Sequence, residues 1–254
     1  MCVPQIAHKG IPSGDDLGVI YRKMPKSKNV TKRNTFFKIR KWLLRELLEC
    51  LRTKQFVLLL MYAQLGPDTH HLNALIFDSK HKLITRFEPH GAYRANNFLF
   101  APINDFVTNW FNIGYPHINA AITEWLNSAQ VQKLFSGYRY RAPIDYCPKL
   151  GPQWIEATIG PEMGEKYAGG YCAAWSLVFL HLRLLNPNDS DETIVEAMVS
   201  TKNAQNLRKM IRNYAGFIAE MGKALTVNME KPRWYPQVQH SNLERRIRDT
   251  KKTR

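Results

Sequence analysis

Three apolar stretches in the first half of the chain have the length and residue types of β-strands. They run from Gln55 to Leu65, from His71 to Asp78 and from Leu83 to Pro89. The polar residues Ser79 to Lys82 separate the second stretch from the third, which is the pattern of a hairpin. A shorter run, Tyr138 to Arg141, is a further strand candidate. The pattern predicts a sheet that includes this hairpin.

Helical periodicity marks other segments. Between Phe36 and Cys50, apolar residues recur at helical spacing with Lys and Arg on the opposite side, which predicts an amphipathic helix. Cys172 to Leu185 is apolar nearly all round, which is typical of a helix buried at the centre of a fold. Asp189 and Glu192 resemble a capping box. Further helices are predicted at Ile103 to Phe111, His117 to Phe135 and Leu207 to Met221, and a Gly/Pro-rich loop at Pro143 to Gly170.

Length and composition are those of a globular protein. Because the chain contains both predicted strands and predicted helices, we expect an α+β fold. The protein has 254 residues, 44% of them hydrophobic and 11% aromatic. The longest apolar runs, such as Phe56 to Met61, are far shorter than the ~18 residues that a membrane span needs. We expect no membrane span. Composition shifts suggest a basic N-terminal arm with an amphipathic helix at 1–54, a folded domain at 55–235 and a basic tail at 236–254.

The chain is strongly basic, with a net charge of +15. Ten Lys or Arg and no acid lie between Arg22 and Arg45. Such a segment is either a solvated basic face or a surface for nucleic acid or another anion. Because no recognition helix or zinc-finger pattern is present, nucleic-acid binding would be independent of sequence and would use phosphates. The residues expected to carry it are Lys26, Lys28, Lys32, Arg33, Lys38 and Lys41.

The four cysteines are scattered and form no C-x-x-C pair, which favours an intracellular, reducing compartment. The histidines and cysteines show no recognised zinc-ligand spacing, and no phosphate-binding glycine motif occurs. The sequence therefore predicts no metal and no cofactor.

His71, Glu88 and Cys172 supply the parts of a cysteine-nucleophile site, in which a base activates a thiol and an acid orients the base. Cys172 begins the central helix after two glycines, where the helix N-terminus favours a thiolate. A two-residue hairpin loop would place His71 opposite Glu88, whereas a four-residue loop would place it opposite His90, and the sequence leaves this register open. His70 is a rival base. Taken singly, each residue also has a structural explanation, such as an exposed histidine, a turn carboxylate or a small buried thiol.

The segment Phe87-Glu88-Pro89-His90-Gly91, with its histidine upstream, resembles the corresponding segment of the adenovirus-type cysteine proteases and of the related SUMO and ubiquitin-like-protein proteases. It is also similar to uncharacterised proteins of large DNA viruses. The resemblance implies a papain-like α+β fold, with a sheet packed on a central helix that starts at the catalytic cysteine. It implies that His71 is the base, Glu88 its orienter and Cys172 the nucleophile. Gln153 would match the glutamine that donates to the oxyanion.

On this resemblance the expected function is a thiol endopeptidase that cleaves viral precursor proteins or ubiquitin-like conjugates after small, Gly-Gly-like residues. The protein substrate would be the main partner, and 55–235 would be the protease domain. The host cytoplasm or a virion would be the location. Two alternatives are an acetyltransferase that uses the same three residues with acetyl-coenzyme A, and a non-enzymatic, basic virion protein on an inactive protease scaffold.

Overall fold

A computed structural model describes residues 19–22, 35–39, 41–66, 69–92, 115–157, 171–200 and 203–227. In these residues six strands form one mixed sheet with the order β2-β1-β3-β4-β5-β6. β1 pairs with β3 and β5 pairs with β6 in parallel, and the other neighbours are antiparallel. The strands are β1 (Val19–Arg22), β2 (Thr35–Lys38), β3 (Phe56–Gly66), β4 (Thr69–Asp78), β5 (Leu83–Phe87) and β6 (Arg139–Arg141).

Helices cover both faces of the sheet. They are α1 (Lys41–Thr53), α2 (Tyr115–Asn127), α3 (Ala129–Leu134), α4 (Pro152–Ala157), α5 (Cys172–Leu185), α6 (Asp191–Val199) and α7 (Ala204–Val227), with a short 3-10 helix at Pro143–Asp145. Because successive strand side chains point to opposite faces, β4 places Leu75 and Phe77 in one core and Ala74 and Ile76 in the other. The first core includes α1 and α2, and the second includes α5, α6 and α7.

The hairpin of β4 and β5 has a four-residue turn. Asp78 pairs with Leu83 and Ala74 with Phe87, so Ser79 to Lys82 form the loop. The Asp78 carboxylate accepts hydrogen bonds from the backbone N–H groups of Lys80 and His81, at 2.9 and 3.1 Å. This local bonding stabilises the longer turn, and it answers the register question that the sequence left open.

The helix predicted from Phe36 to Cys50 begins later than expected. Residues Thr35–Lys38 form β2, which pairs with β1, and the helix starts only at Lys41. Phe37 is buried and meets the ring of Trp125 edge-on at 5.0 Å. Strand pairing and this packing therefore override the helical periodicity at the start of the segment.

Two other local expectations also need correction. Ser190, and not Asp189, is the N-cap of α6, since its side chain accepts a hydrogen bond from the backbone N–H of Thr193. The segment from Pro143 to Gly170, predicted as a loop, contains the 3-10 helix and α4. The predicted helix Ile103 to Phe111 and the glycines Gly169 and Gly170 lie outside the described residues.

The described part of 1–54 is built into the sheet and does not stand apart as an arm. β1 pairs with β3, and Leu43, Leu47 and Cys50 of α1 are buried in the same core as β3 and β4. Of the cations assigned to anion binding, Lys38 lies on β2 and Lys41 starts α1. Lys26, Lys28, Lys32, Arg33 and the tail at 236–254 lie outside the described residues.

Among the described helices, none is both long and apolar enough to cross a membrane. The described residues combine helices with a mixed sheet, and the helix that begins at Cys172 packs against β4. The more specific papain-like assignment stays a prediction.

Candidate active site

The β4–β5 hairpin brings four polar side chains to one place. His71 and Asn73 are two residues apart on β4, and Arg86 and Glu88 are two apart at the end of β5, so each pair shares a face of its strand. All four are buried, with at most 5% of their surface exposed. Continuing the observed register by one pair places Glu88 opposite Asn73, and His71 is its diagonal neighbour.

His71 and Glu88 form a short, buried contact. The distance between His71 Nε2 and Glu88 Oε1 is 2.6 Å. Burial alone would lower the pKa of His71, but the charge of Glu88 and hydrogen bonds with Cys172 and Glu88 raise it to about 10. Burial alone would raise the pKa of Glu88, but the charge and hydrogen bonds of His71 and His90 hold it well below its ordinary range. The pair is therefore an imidazolium and a carboxylate at neutral pH.

Glu88 has further donors on both carboxylate oxygens. Asn73 Nδ2 donates to Oε2 at 2.9 Å, and Arg86 Nη1 lies 3.3 Å from the same oxygen. The backbone N–H of His90 donates to Oε1 at 3.2 Å. Sequence reasoning missed Asn73 and Arg86 as members of this site. The signal that could have found them is their spacing, two residues from His71 and Glu88 on predicted strands.

Cys172 is the first residue of α5, and its thiol is hydrogen-bonded to the His71 ring. Ser176, one turn further along α5, donates to the backbone oxygen of Leu72 at 3.2 Å and so holds the start of this helix against β4. Because Nε2 of His71 faces Glu88, Nδ1 is the nitrogen left for the thiol. The structure thus brings together His71, Glu88 and Cys172 as the sequence predicted.

The described cysteines differ in the pKa of the thiol or in their bonding state. Burial alone would raise the pKa of Cys172, but the His71 hydrogen bond and charge and the backbone N–H groups of Leu72 and Ala173 lower it. Burial raises the pKa of Cys147, also a free thiol, to about 12. Cys50 is disulfide-bonded, and the predicted intracellular location stays a prediction. A thiolate paired with an imidazolium is thus expected at Cys172 alone of these three.

His90 supports the site from the other side of the ring. It stacks on His71, with ring centroids 4.7 Å apart and planes 22° apart. Its Nδ1 lies 3.3 Å from Glu88 Oε1, and burial lowers the pKa of its ring. The stacking limits rotation of the His71 imidazole. The side chain of His70, the rival base, lies outside the described part of the structure.

Gln153 lies beside the turn that carries Glu88 and His90. The backbone N–H of Gln153 donates to the Pro89 oxygen at 3.1 Å, and the Trp154 ring faces His90 edge-on at 6.2 Å. Further along the same helix α4, Glu156 Oε1 lies 3.3 Å from Arg208 Nη1, so a buried ion pair ties this helix to α7. These contacts place Gln153 near the site, and its oxyanion role stays a prediction.

Gly91 and Gly151 hold the two segments together by close backbone contact. The N–H of Gly151 donates to the His90 oxygen at 2.7 Å, and a Cβ added at Gly151 would lie 2.4 Å from Gly91 N and from Pro89 O. These neighbours are backbone atoms and cannot move aside cheaply. The close approach therefore requires glycine at this position.

We expect Gly151→Ala to lower the free energy of unfolding by at least about 2 kcal/mol, because the methyl group forces apart the segments that carry His90 and Gln153. Gly216→Ala is the matched control, since a Cβ there meets nothing within 4 Å inside α7 and should stabilise the helix by about 0.5–1 kcal/mol. Urea denaturation of both variants measures the difference. Equal stability of the two variants would show that the contact is not tight.

His71, Glu88 and His90 could also be considered as metal ligands, because one ligand atom of each lies within 4.8 Å of the others. The donor set argues against this use. Glu88 already accepts from His71, Asn73 and the His90 backbone, and the Arg86 guanidinium lies beside it. A divalent cation would have to displace an imidazolium and face a second fixed positive charge. The cluster fits a proton-holding role better, and the expected absence of a metal stays a prediction.

A comparison with known proteins finds a distant relative. A protein of Acanthamoeba polyphaga mimivirus that bears the name ankyrin repeat protein is 29% identical over 159 residues. The match covers 60% of this chain and 19% of the relative, so the chain corresponds to about a fifth of that protein's length. No protein-family profile matches the chain. No solved structure matches it either. The chain is thus similar to a viral protein.

These findings correct the resemblance to the adenovirus-type and ubiquitin-like-protein proteases. The relative carries the name of a repeat protein and not of a protease, and no family profile supports the protease assignment. The functions inferred from that resemblance fall with it: the thiol endopeptidase for viral precursors or ubiquitin-like conjugates, the acetyltransferase and the virion protein on an inactive protease scaffold.

The repeat architecture in the relative's name is not seen in the described residues. An ankyrin repeat has about 33 residues and consists of a turn and two helices. The described residues instead form a six-stranded sheet with helices on both faces.

Proposed function

We propose that this protein is an enzyme that uses Cys172 as a covalent nucleophile on a carbonyl carbon. The observation that carries the proposal is the buried contact of 2.6 Å between His71 and Glu88, with the thiol of Cys172 hydrogen-bonded to the same imidazole. A nucleophile, a base in hydrogen-bonding reach and a third group that orients the base are the parts of covalent catalysis by a thiol.

The proposed reaction has two steps. The Cys172 thiolate attacks the carbonyl carbon of an acyl substrate, and the His71 imidazolium gives its proton to the leaving group, so that a thioester forms. Neutral His71 then takes a proton from water, and the hydroxide attacks the thioester. The thiolate leaves, the acid product departs, and the imidazolium is restored.

The position of Cys172 at a helix start supports stabilisation of the oxyanion that forms in each step. Cys172 is the first residue of α5, and the first N–H groups of a helix have no partner within the helix. Backbone N–H groups at such a position suit an oxyanion, and the helix dipole adds to their effect.

Glu88, held by Asn73 and His90, keeps the imidazole ring in place during the proton transfers.

The expected result of the direct test is a burst of p-nitrophenolate when the protein is mixed with p-nitrophenyl acetate, because acylation of a thiolate precedes slower hydrolysis of the thioester. Cys172→Ala should abolish the burst. Cys147→Ala is the control and should keep it, since that thiol has a pKa of about 12. Stopped-flow absorbance gives the amplitude, and peptide mass spectrometry locates the acyl group. A burst that survives in Cys172→Ala rules out this proposal.

A further inference from the structure

Arg86 is a cation buried completely beneath the proposed site. It lies on β5, and none of its surface is exposed. A buried guanidinium is costly unless hydrogen bonds and an opposite charge compensate it. Here Nη1 donates to Asn73 Oδ1 at 2.5 Å and to Glu88 Oε2 at 3.3 Å. The negative charge that compensates the Arg86 guanidinium is therefore the Glu88 carboxylate, which also contacts His71.

Contacts from two other elements fix the position of the guanidinium. Nε donates to the Tyr140 hydroxyl of β6 at 3.0 Å, and Nη2 donates to Asn119 Oδ1 of α2 at 3.0 Å. The Tyr140 hydroxyl donates to the same Asn119 oxygen at 2.8 Å. Arg86 is thus held from β4, β6 and α2, and it presents a rigid donor to one oxygen of Glu88 while the other oxygen faces His71.

The charges of the site also need Arg86. The Cys172 thiolate, the His71 imidazolium and the Glu88 carboxylate together carry one net negative charge in a buried place. The positive charge of Arg86 brings the net charge of the four groups to zero. The charges alternate in sign along the series Cys172, His71, Glu88 and Arg86. Since an uncompensated buried charge is strongly unfavourable, the cluster without Arg86 would take up a proton at Cys172 or Glu88.

We propose that Arg86 is a positioning residue that keeps Glu88 ionised and directed at His71, and thereby maintains the thiolate of Cys172. This inference rests on the proposed role of Cys172 as nucleophile. Arg86 is fully buried and cannot contact substrate, and its role is to set the charge state of the Cys172 thiol.

Other ionisable groups around the cluster do not replace this cation. Burial lowers the pKa of His90, so near pH 7 its ring is mostly neutral and acts on Glu88 through hydrogen bonding, and not as a fixed positive charge. Burial raises the pKa of Cys147 and of Tyr140, so both stay protonated and neutral. Asp145, which acts on Tyr140 electrostatically, accepts a hydrogen bond from the Ala142 N–H and supplies no positive charge to the cluster. Arg86 is therefore the cation that contacts Glu88 Oε2, the carboxylate oxygen that does not bond His71.

The test is the pH profile of Cys172 alkylation by iodoacetamide, followed by peptide mass spectrometry in the full chain. In Arg86→Gln, the midpoint of the acid limb should move up by about one pH unit or more, because the thiolate loses a compensating positive charge. Asn119→Ala is the matched control, since it removes a contact of Arg86 but keeps the charge. Its midpoint should stay within about 0.3 of the wild-type value.

Arg86→Lys separates charge from structure. Lysine keeps the positive charge but not the fork of donors, so its thermal midpoint should fall while the acid limb remains near the wild-type position. This variant decides the matter if Arg86→Gln does not fold. A wild-type limb in folded Arg86→Gln, or a shifted limb in Arg86→Lys, would overturn the role of Arg86. A wild-type protein whose Cys172 reacts like an ordinary thiol would instead overturn the proposed function itself.

Discussion

At pH 6, iodoacetamide is expected to alkylate Cys172 at least about thirty times faster than Cys147. The pKa of Cys172 lies below its ordinary value near 9, and that of Cys147 is about 12. The thiolate fraction falls tenfold for each pH unit below the pKa, so the two fractions differ by more than about a thousandfold. The lower nucleophilicity of the more acidic thiolate removes part of this ratio. Timed alkylation with quantitative peptide mass spectrometry measures it.

The pH dependence of the same reaction has a definite sign. A lowered thiol pKa means that reactivity falls only when the pH drops through that pKa, and it stays high through neutral pH. The raised pKa of His71 means that its contribution to stability is fully present below about 6.5 and is lost as the pH rises through about 10. Urea-denatured protein is the control, because all its thiols should react alike. Faster labelling of Cys147 than of Cys172 in the native protein would refute the ion pair.

His71→Ala is expected to reduce the rate of Cys172 acylation by p-nitrophenyl acetate by about 10⁴-fold or more, because both the activating base and the counter-charge of the thiolate are lost. The variant should remain folded, since Glu88 keeps its contacts with Asn73 and Arg86. Stopped-flow measurement of the burst gives the rate. His90→Ala is the matched control, as it removes the stacked ring but leaves the base, and we expect a loss within about tenfold.

Glu88→Gln should have an intermediate effect on the same rate, because the imidazole keeps a hydrogen-bond partner but loses the opposite charge. It should also lower the free energy of unfolding by about 3 kcal/mol, since it leaves the buried Arg86 cation uncompensated. Rate and stability are therefore measured on the same samples. If His90→Ala abolished the burst while His71→Ala left it intact, His90 would be the base and the assignment of roles would be wrong.

Hydrophobic patterning in the sequence was enough to predict most central elements. β3, β4, β5 and β6 lie within a few residues of the predicted strands, and α5 has the predicted bounds Cys172–Leu185. These predictions succeeded because continuous apolar runs and all-round apolar helices have few ways to bury their surface. The prediction failed at Thr35–Lys38, where pairing with β1, a partner distant in sequence, converts a helical pattern into a strand.

The sequence by itself was enough to single out the three residues of the candidate site. They are a histidine and a glutamate on adjacent predicted strands and a cysteine at the start of a buried helix. The tertiary structure alone decided their geometry. Asp78 stabilises a four-residue turn, so Glu88 reaches His71 diagonally and bonds Asn73 as well. It also decided that Arg86 lies fully buried behind Glu88 with Tyr140 and Asn119. Register and burial depend on contacts between distant segments, and no local pattern encodes them.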